Sequence, residues 1–143
     1  MSIHDKLSAV DLFEQTYGNQ EAVLRACDLM TQYVNALSVP LPEVVATGLQ
    51  TAASYKCGRV GEKELQEAEK AVSSFLKGRS ALTNYADPEF ALAHAVRAIL
   101  TCYRDRKFGG GASELLSNCL ESTERVGSNE ELFGKLLEQI FST

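Results

Sequence analysis

The chain has no tryptophan, two histidines, three prolines and four cysteines in 143 residues. Each shortage excludes something. With prolines only at Pro40, Pro42 and Pro88, long stretches are free to be helical. The cysteines, Cys27, Cys57, Cys102 and Cys119, are far apart and form no paired C-x-x-C spacing. They predict neither a zinc site nor a redox motif. No run approaches the roughly 20 apolar residues of a membrane span, and Met1–Lys6 carries no apolar signal core. The expectation is a cytoplasmic chain with reduced thiols, no cofactor and no bound metal. The formal charge is −5, from 14 basic and 19 acidic residues. That argues against nucleic acid as the main ligand, which needs a clustered positive surface.

The apolar pattern has the helical period throughout. Ile3, Leu7, Val10, Phe13 and Tyr17 follow a cap at Ser2, and Gly18-Asn19 ends the run. Val23, Ala26, Cys27, Met30, Tyr33, Val34 and Leu37 trace a second helix. Pro42 suits the first turn of a third, which carries Val45, Leu49 and Ala52 and stops at Gly58 in the left-handed conformation. The third helix is rich in small residues, so a neighbour can approach closely. A fourth starts near Gly61 with Leu65, Ala68, Val72, Phe75 and Leu76 inward, and Gly78 ends or bends it before Leu82 and Tyr85. Asp87-Pro88 opens a fifth through Phe90, Ala91, Ala95, Ala98, Ile99 and Cys102. A sixth carries Leu115, Leu116, Cys119, Leu120 and Val126. Ser128 with Glu131 reads as a capping box for a seventh, with Leu132, Phe133, Leu136, Leu137, Ile140 and Phe141.

No strand-like alternation and no internal repeat occur. The pattern predicts one all-α domain, a compact bundle of about seven helices spanning 1–143. Its predicted core is Leu7, Met30, Val34, Leu49, Phe75, Ile99, Cys102, Leu116, Leu136 and Ile140.

Chemistry-bearing residues are sparse. A helix-bundle metal site needs Glu-x-x-His, but Ala91 stands where His94 would require Glu. A hydrogen-bonded or surface histidine is the reading of His94. Cys57 lies between Lys56 and Arg59, but at a helix C-terminus, which disfavours a thiolate. The other cysteines sit on apolar stripes as small core residues. Arg104–Gly111 is basic, glycine-rich and the most flexible-looking segment. Gly109-Gly110-Gly111 opens a helix and is suited to an anion, yet lacks the phosphate-loop pattern. A flexible connector is the commoner meaning of such a run. Glu62, Glu64, Glu67 and Glu69 alternate with Lys63 and Lys70, which marks a solvated helix face.

One stretch, Thr47–Val60 leading into Glu64–Ala68, is an Ala-rich helix ending in an aromatic, then x-x-Gly-x-Val, then a Glu-Leu helix. With Ala91-Leu92-Ala93-His94-Ala95-Val96 downstream, it resembles an all-helical family of bacterial immunity proteins. These protect cells from polymorphic or contact-delivered toxins. The resemblance spans about a third of the chain and has Tyr55 where a tryptophan is expected. It implies tight binding to a toxin and no catalysis. A helical adaptor and an enzyme built from distant carboxylates are the other classes open to such a chain.

Charge is uneven along the chain. Residues 112–143 hold six acids against two bases, whereas residues 56–79 are net +2. Toxins that attack nucleic acid need basic clefts, so Glu121, Glu124, Glu130 and Glu131, around the turn at Gly127, are the predicted partner-binding face. A solvated acidic surface that keeps the protein soluble is the commoner meaning of such a cluster.

Overall fold

The computed structural model describes residues 3–78, 88–124, 127 and 129–142, with only the backbone described at 88 and 89. Seven helices are present among them: α1 (Ile3–Tyr17), α2 (Asn19–Ala36), α3 (Glu43–Lys56), α4 (Glu62–Gly78), α5 (Pro88–Asp105), α6 (Ala112–Thr123) and α7 (Glu130–Ile140). There is no strand among the described residues, and none of their helices is long and apolar enough to cross a membrane. The predicted all-α class is the observed one.

Two helices organise the bundle. α2 packs on α1, α3, α5, α6 and α7, while α5 packs on α2, α3, α4 and α6. Both are therefore apolar on several sides. Leu29, Met30 and Tyr33 of α2 and Leu92, Ile99 and Leu100 of α5 are fully buried. Each such side chain contributes about 1.5–3 kcal/mol relative to an exposed one. Of the ten predicted core residues, seven are buried; Leu7, Phe75 and Ile140 are half-buried and pack against the core from its margin. They lie on outer helices, where one stripe meets the core and its edges meet water.

Small residues let α3, α4 and α5 meet. A Cβ on Gly48 would lie 3.0 Å from Val72 Cγ2 and 3.2 Å from Val96 Cγ1. Ala52, one turn on, is fully buried. α3 then stops at Gly58, whose φ is +75°. The Gly58 N–H donates to Tyr55 O and the Arg59 N–H to Ser54 O, which closes the last carbonyls of the helix. On α4, Glu64 accepts from the Gly61 N–H at 2.8 Å, closing the first turn. Its own backbone N–H, and then that of Gly61, hold its carboxyl below the usual range.

Several sequence expectations are corrected. Asn19 does not end α1; it begins α2, and Gly18 alone makes the break with φ +97°. Pro42 precedes α3 as its cap, and its carbonyl accepts from Val45 and Ala46. The cap of α7 is Asn129, whose side chain accepts from the Leu132 N–H; this puts Leu132, not Glu131, three residues after the cap, so Glu131 does not complete a capping box. Leu82, Tyr85, Asp87, Val126 and Ser128 lie outside the described residues.

The segment from Arg104 was expected to be a loose connector. Instead α5 continues to Asp105, and Arg106 turns the chain with φ +57°, its N–H donating to Cys102 O at 2.8 Å. A left-handed non-glycine costs roughly 1–2 kcal/mol. The Arg106 guanidinium then donates to Tyr55 Oη at 3.2 Å beside Glu62. Beyond it, Asn19 clasps Phe108 in both directions, donating to its carbonyl and accepting from its N–H. Glu14 Oε1 accepts from the Ala112 N–H at 3.1 Å. The loop is tied to the α1–α2 corner.

Candidate functional site

α5 shapes a concavity among the described residues. Its outer face carries Ala91, Ala95 and Ala98, four and three residues apart, with His94 and Thr101 on the same side. These short side chains leave a trough where larger residues would fill the surface. Ala91 and Ala95 are buried at its floor, and His94, Ala98 and Thr101 are half-buried. α6 forms one wall through Leu115, Asn118, Cys119 and Ser122, and Phe108 projects from the clasped loop. The resulting cavity is about 540 Å³ and reaches in to Met30. A second cavity of about 600 Å³ shares His94, Ala98 and Phe108 with it and continues along α5 to Thr101, Cys102 and Asp105.

Charge is distributed by position in this trough. Glu121 and Glu124, both exposed, line the first cavity. Arg97 and Lys107 line the second. Of the four predicted partner-binding carboxylates, α6 therefore brings two onto one lip. Glu130 and Glu131 stand elsewhere, exposed on the first turn of α7, where carboxylates favour the helix dipole. Glu131 is also 3.5 Å from Lys135, one turn along. The Asn129 N–H just before them donates to the buried Tyr33 hydroxyl at 2.8 Å, so that corner is anchored to α2.

The thiols of this region differ. Burial pushes the Cys119 thiol up to about 12, so it stays neutral at physiological pH and makes a poor nucleophile. The neighbouring Cys102 thiol and burial push Cys27, which donates to Ile99 O at 3.9 Å, well up, while interaction with Cys27 holds Cys102 down against the effect of burial. All four cysteines are free thiols, and Cys57, at the C-terminus of α3, is the exposed one. No group of three or more metal-ligating side chains occurs among the described residues.

The start of α6, read from sequence as a possible anion seat or connector, already holds a carboxylate. Gly111 has φ +91° and brings its backbone against Glu14; a Cβ there would sit 3.0 Å from Glu14 Oε1. The protein's own Glu14 occupies the position an anion would take.

Carboxylates from distant segments do gather at the C-terminal end of α5, where sequence spacing alone could not place them. Tyr103 Oη donates to Asp28 Oδ1, and Lys56 Nζ lies 3.3 Å from Asp28 Oδ2. Arg104 spans Glu69 at 2.9 Å and Asp105 at 3.1 Å. Glu69, expected on a solvated face, is instead folded inward onto Arg104. Burial and the Asp28 bond push the Tyr103 phenol far above its ordinary value. Each of these carboxylates faces a cation, and together they join α2, α3, α4 and α5.

Sequence reasoning did not identify the trough. The available signal was the alanine spacing on α5 with His94 among the alanines, but which face of α5 is left uncovered depends on its neighbours. Comparison of the chain with protein-family models, with curated proteins and with solved structures gave no significant match.

Proposed function

We propose that this chain is a non-catalytic binding protein of the immunity type, which neutralises a basic toxin domain in the cytoplasm by tight protein–protein contact. The single observation that carries the reading is the trough on α5, with an apolar floor of alanines and the exposed carboxylates Glu121 and Glu124 on one lip. Apolar anchors that bury in such a floor supply affinity, and the carboxylates speed encounter with a positive surface. The neutral Cys119 thiol beside the trough fits binding better than nucleophilic chemistry. The likeness of Thr47–Val60 and Ala91–Val96 to immunity proteins points the same way.

The test is co-expression with toxin domains encoded beside the gene, scored by survival, followed by binding kinetics on the protective pair. Glu121→Lys with Glu124→Lys should slow association about tenfold at low salt, and the difference should shrink at high salt. Glu130→Lys with Glu131→Lys separates the α7 carboxylates from the trough pair. If no such domain is neutralised or bound, the reading is wrong.

A further inference from the structure

The two cavities adjoin along α5, with His94, Ala98 and Phe108 lining both. The floor of the trough follows α5 from Ala91 through Ala95, Ala98 and Cys102 to Asp105. At about 1.5 Å per residue, that stretch is roughly 21 Å long. This is the length of a helix of about four turns.

We infer that this trough seats an amphipathic helix of the protein partner, laid along α5 with its basic end at Glu121 and Glu124 and its acidic residues from its middle onward, facing Arg97 at the centre and Lys107 at the far end. The inference rests on the binding-protein reading and specifies the segment that docks. Three observations support it. The floor carries Ala91, Ala95 and Ala98, and small residues allow two helix axes to approach to about 8 Å. The charges are segregated: two carboxylates border one cavity, and two cations border the other. Asp105 also borders the basic end, but Arg104 already pairs with it at 3.1 Å. Finally, the floor is helix, so its peptide groups are already hydrogen-bonded. An extended segment would find no exposed sheet edge there and would bury unpaired backbone groups. A helix brings its backbone already satisfied.

The test uses the full chain and a displayed library of helical peptides of about 20 residues. Selection should enrich peptides with an apolar stripe at helical spacing, Lys or Arg at one end and Asp or Glu from the middle to the other end. Ala98→Leu, which fills the half-buried centre shared by both cavities, should weaken the selected peptides about tenfold or more while circular dichroism stays unchanged. A second variant set is independent of packing. Glu121→Lys and Glu124→Lys, combined with Arg97→Glu and Lys107→Glu, should invert the preference between a selected peptide and its charge-reversed version.

No enrichment would overturn the inference. So would peptides that bind Ala98→Leu equally well, or peptides indifferent to charge order. A dimer of the chain that Ala98→Leu dissociates would overturn it too, by giving the trough to a second copy. If a neutralised toxin domain binds both variants normally, the helix seat is wrong and the trough is not the toxin's surface, while neutralisation itself still supports a binding protein.

Discussion

Two glycines in helix interiors make opposite predictions under the same substitution, and the comparison isolates tertiary packing. Alanine in place of a mid-helix glycine gains about 1 kcal/mol of intrinsic helix stability. At Gly48 the new methyl would sit 3.0 Å from Val72 Cγ2, 3.2 Å from Val96 Cγ1 and 3.4 Å from Leu100 Cδ1. Val72 and Val96 are fully buried and β-branched, so neither can swing away. Overpacking of this kind costs about 1–3 kcal/mol, so Gly48→Ala should be destabilised by up to about 2 kcal/mol net. At Gly134 the nearest atom is Lys6 Nζ at 2.8 Å, the far end of a flexible side chain. Moving it disturbs only the Lys6–Glu138 pair at 3.2 Å, in which Glu138 is well exposed. Such a pair is worth about 0–1 kcal/mol, so Gly134→Ala should be neutral or gain up to about 1 kcal/mol. The propensity term cancels between the two, leaving an expected gap of about 1.5 kcal/mol and at most about 3 kcal/mol. Urea unfolding followed at 222 nm, with equal slopes required for all three proteins, measures it. If both variants shifted in the same direction by the same amount, the close approach of α3, α4 and α5 at Gly48 would be refuted.

Met30→Asp should cost several kcal/mol at neutral pH, because Met30 is fully buried and the carboxylate would be unpaired. A carboxyl whose pKa is raised on folding loses stability as pH rises, so the deficit against wild type should be smaller at pH 4 than at pH 8. Cys119 titrates at about 12 in the folded protein against an ordinary 9.0. Its contribution is fully present below pH 9 and is lost as pH climbs toward 12, amounting to roughly 4 kcal/mol. Cys119→Ala should therefore flatten the alkaline limb of a stability–pH profile, and an unchanged limb would contradict the burial argument. Asn19→Ala removes two bonds to the Phe108 backbone and should cost about 1–3 kcal/mol. Faster amide exchange at Phe108 should accompany it. Iodoacetamide under native conditions should label Cys57 well before the three buried thiols, and rapid labelling of Cys119 would show that α6 is not seated as described.

Helix identity, order and most boundaries were legible in the sequence, because a buried stripe must recur every three to four residues and glycine and proline interrupt it. The stop at Gly58 and the start at Pro88 are local chemistry, and both are where the sequence alone puts them. The exposed positions of Glu121, Glu124, Glu130 and Glu131 also follow from the helical period. What depended on the fold was every pairing across distance. Asn19 holding Phe108, Glu14 filling the start of α6 and Glu69 folded onto Arg104 join positions far apart in the chain, and no local pattern carries that information. The same limit explains the carboxylates: four lie near one turn in sequence, but α6 carries two to the lip of a trough while α7 carries two away. An alanine stripe on a helix signals only that something can come close. On α3 other helices of the bundle fill that space at Gly48, whereas on α5 the neighbours leave a trough, and only tertiary packing decides between the two.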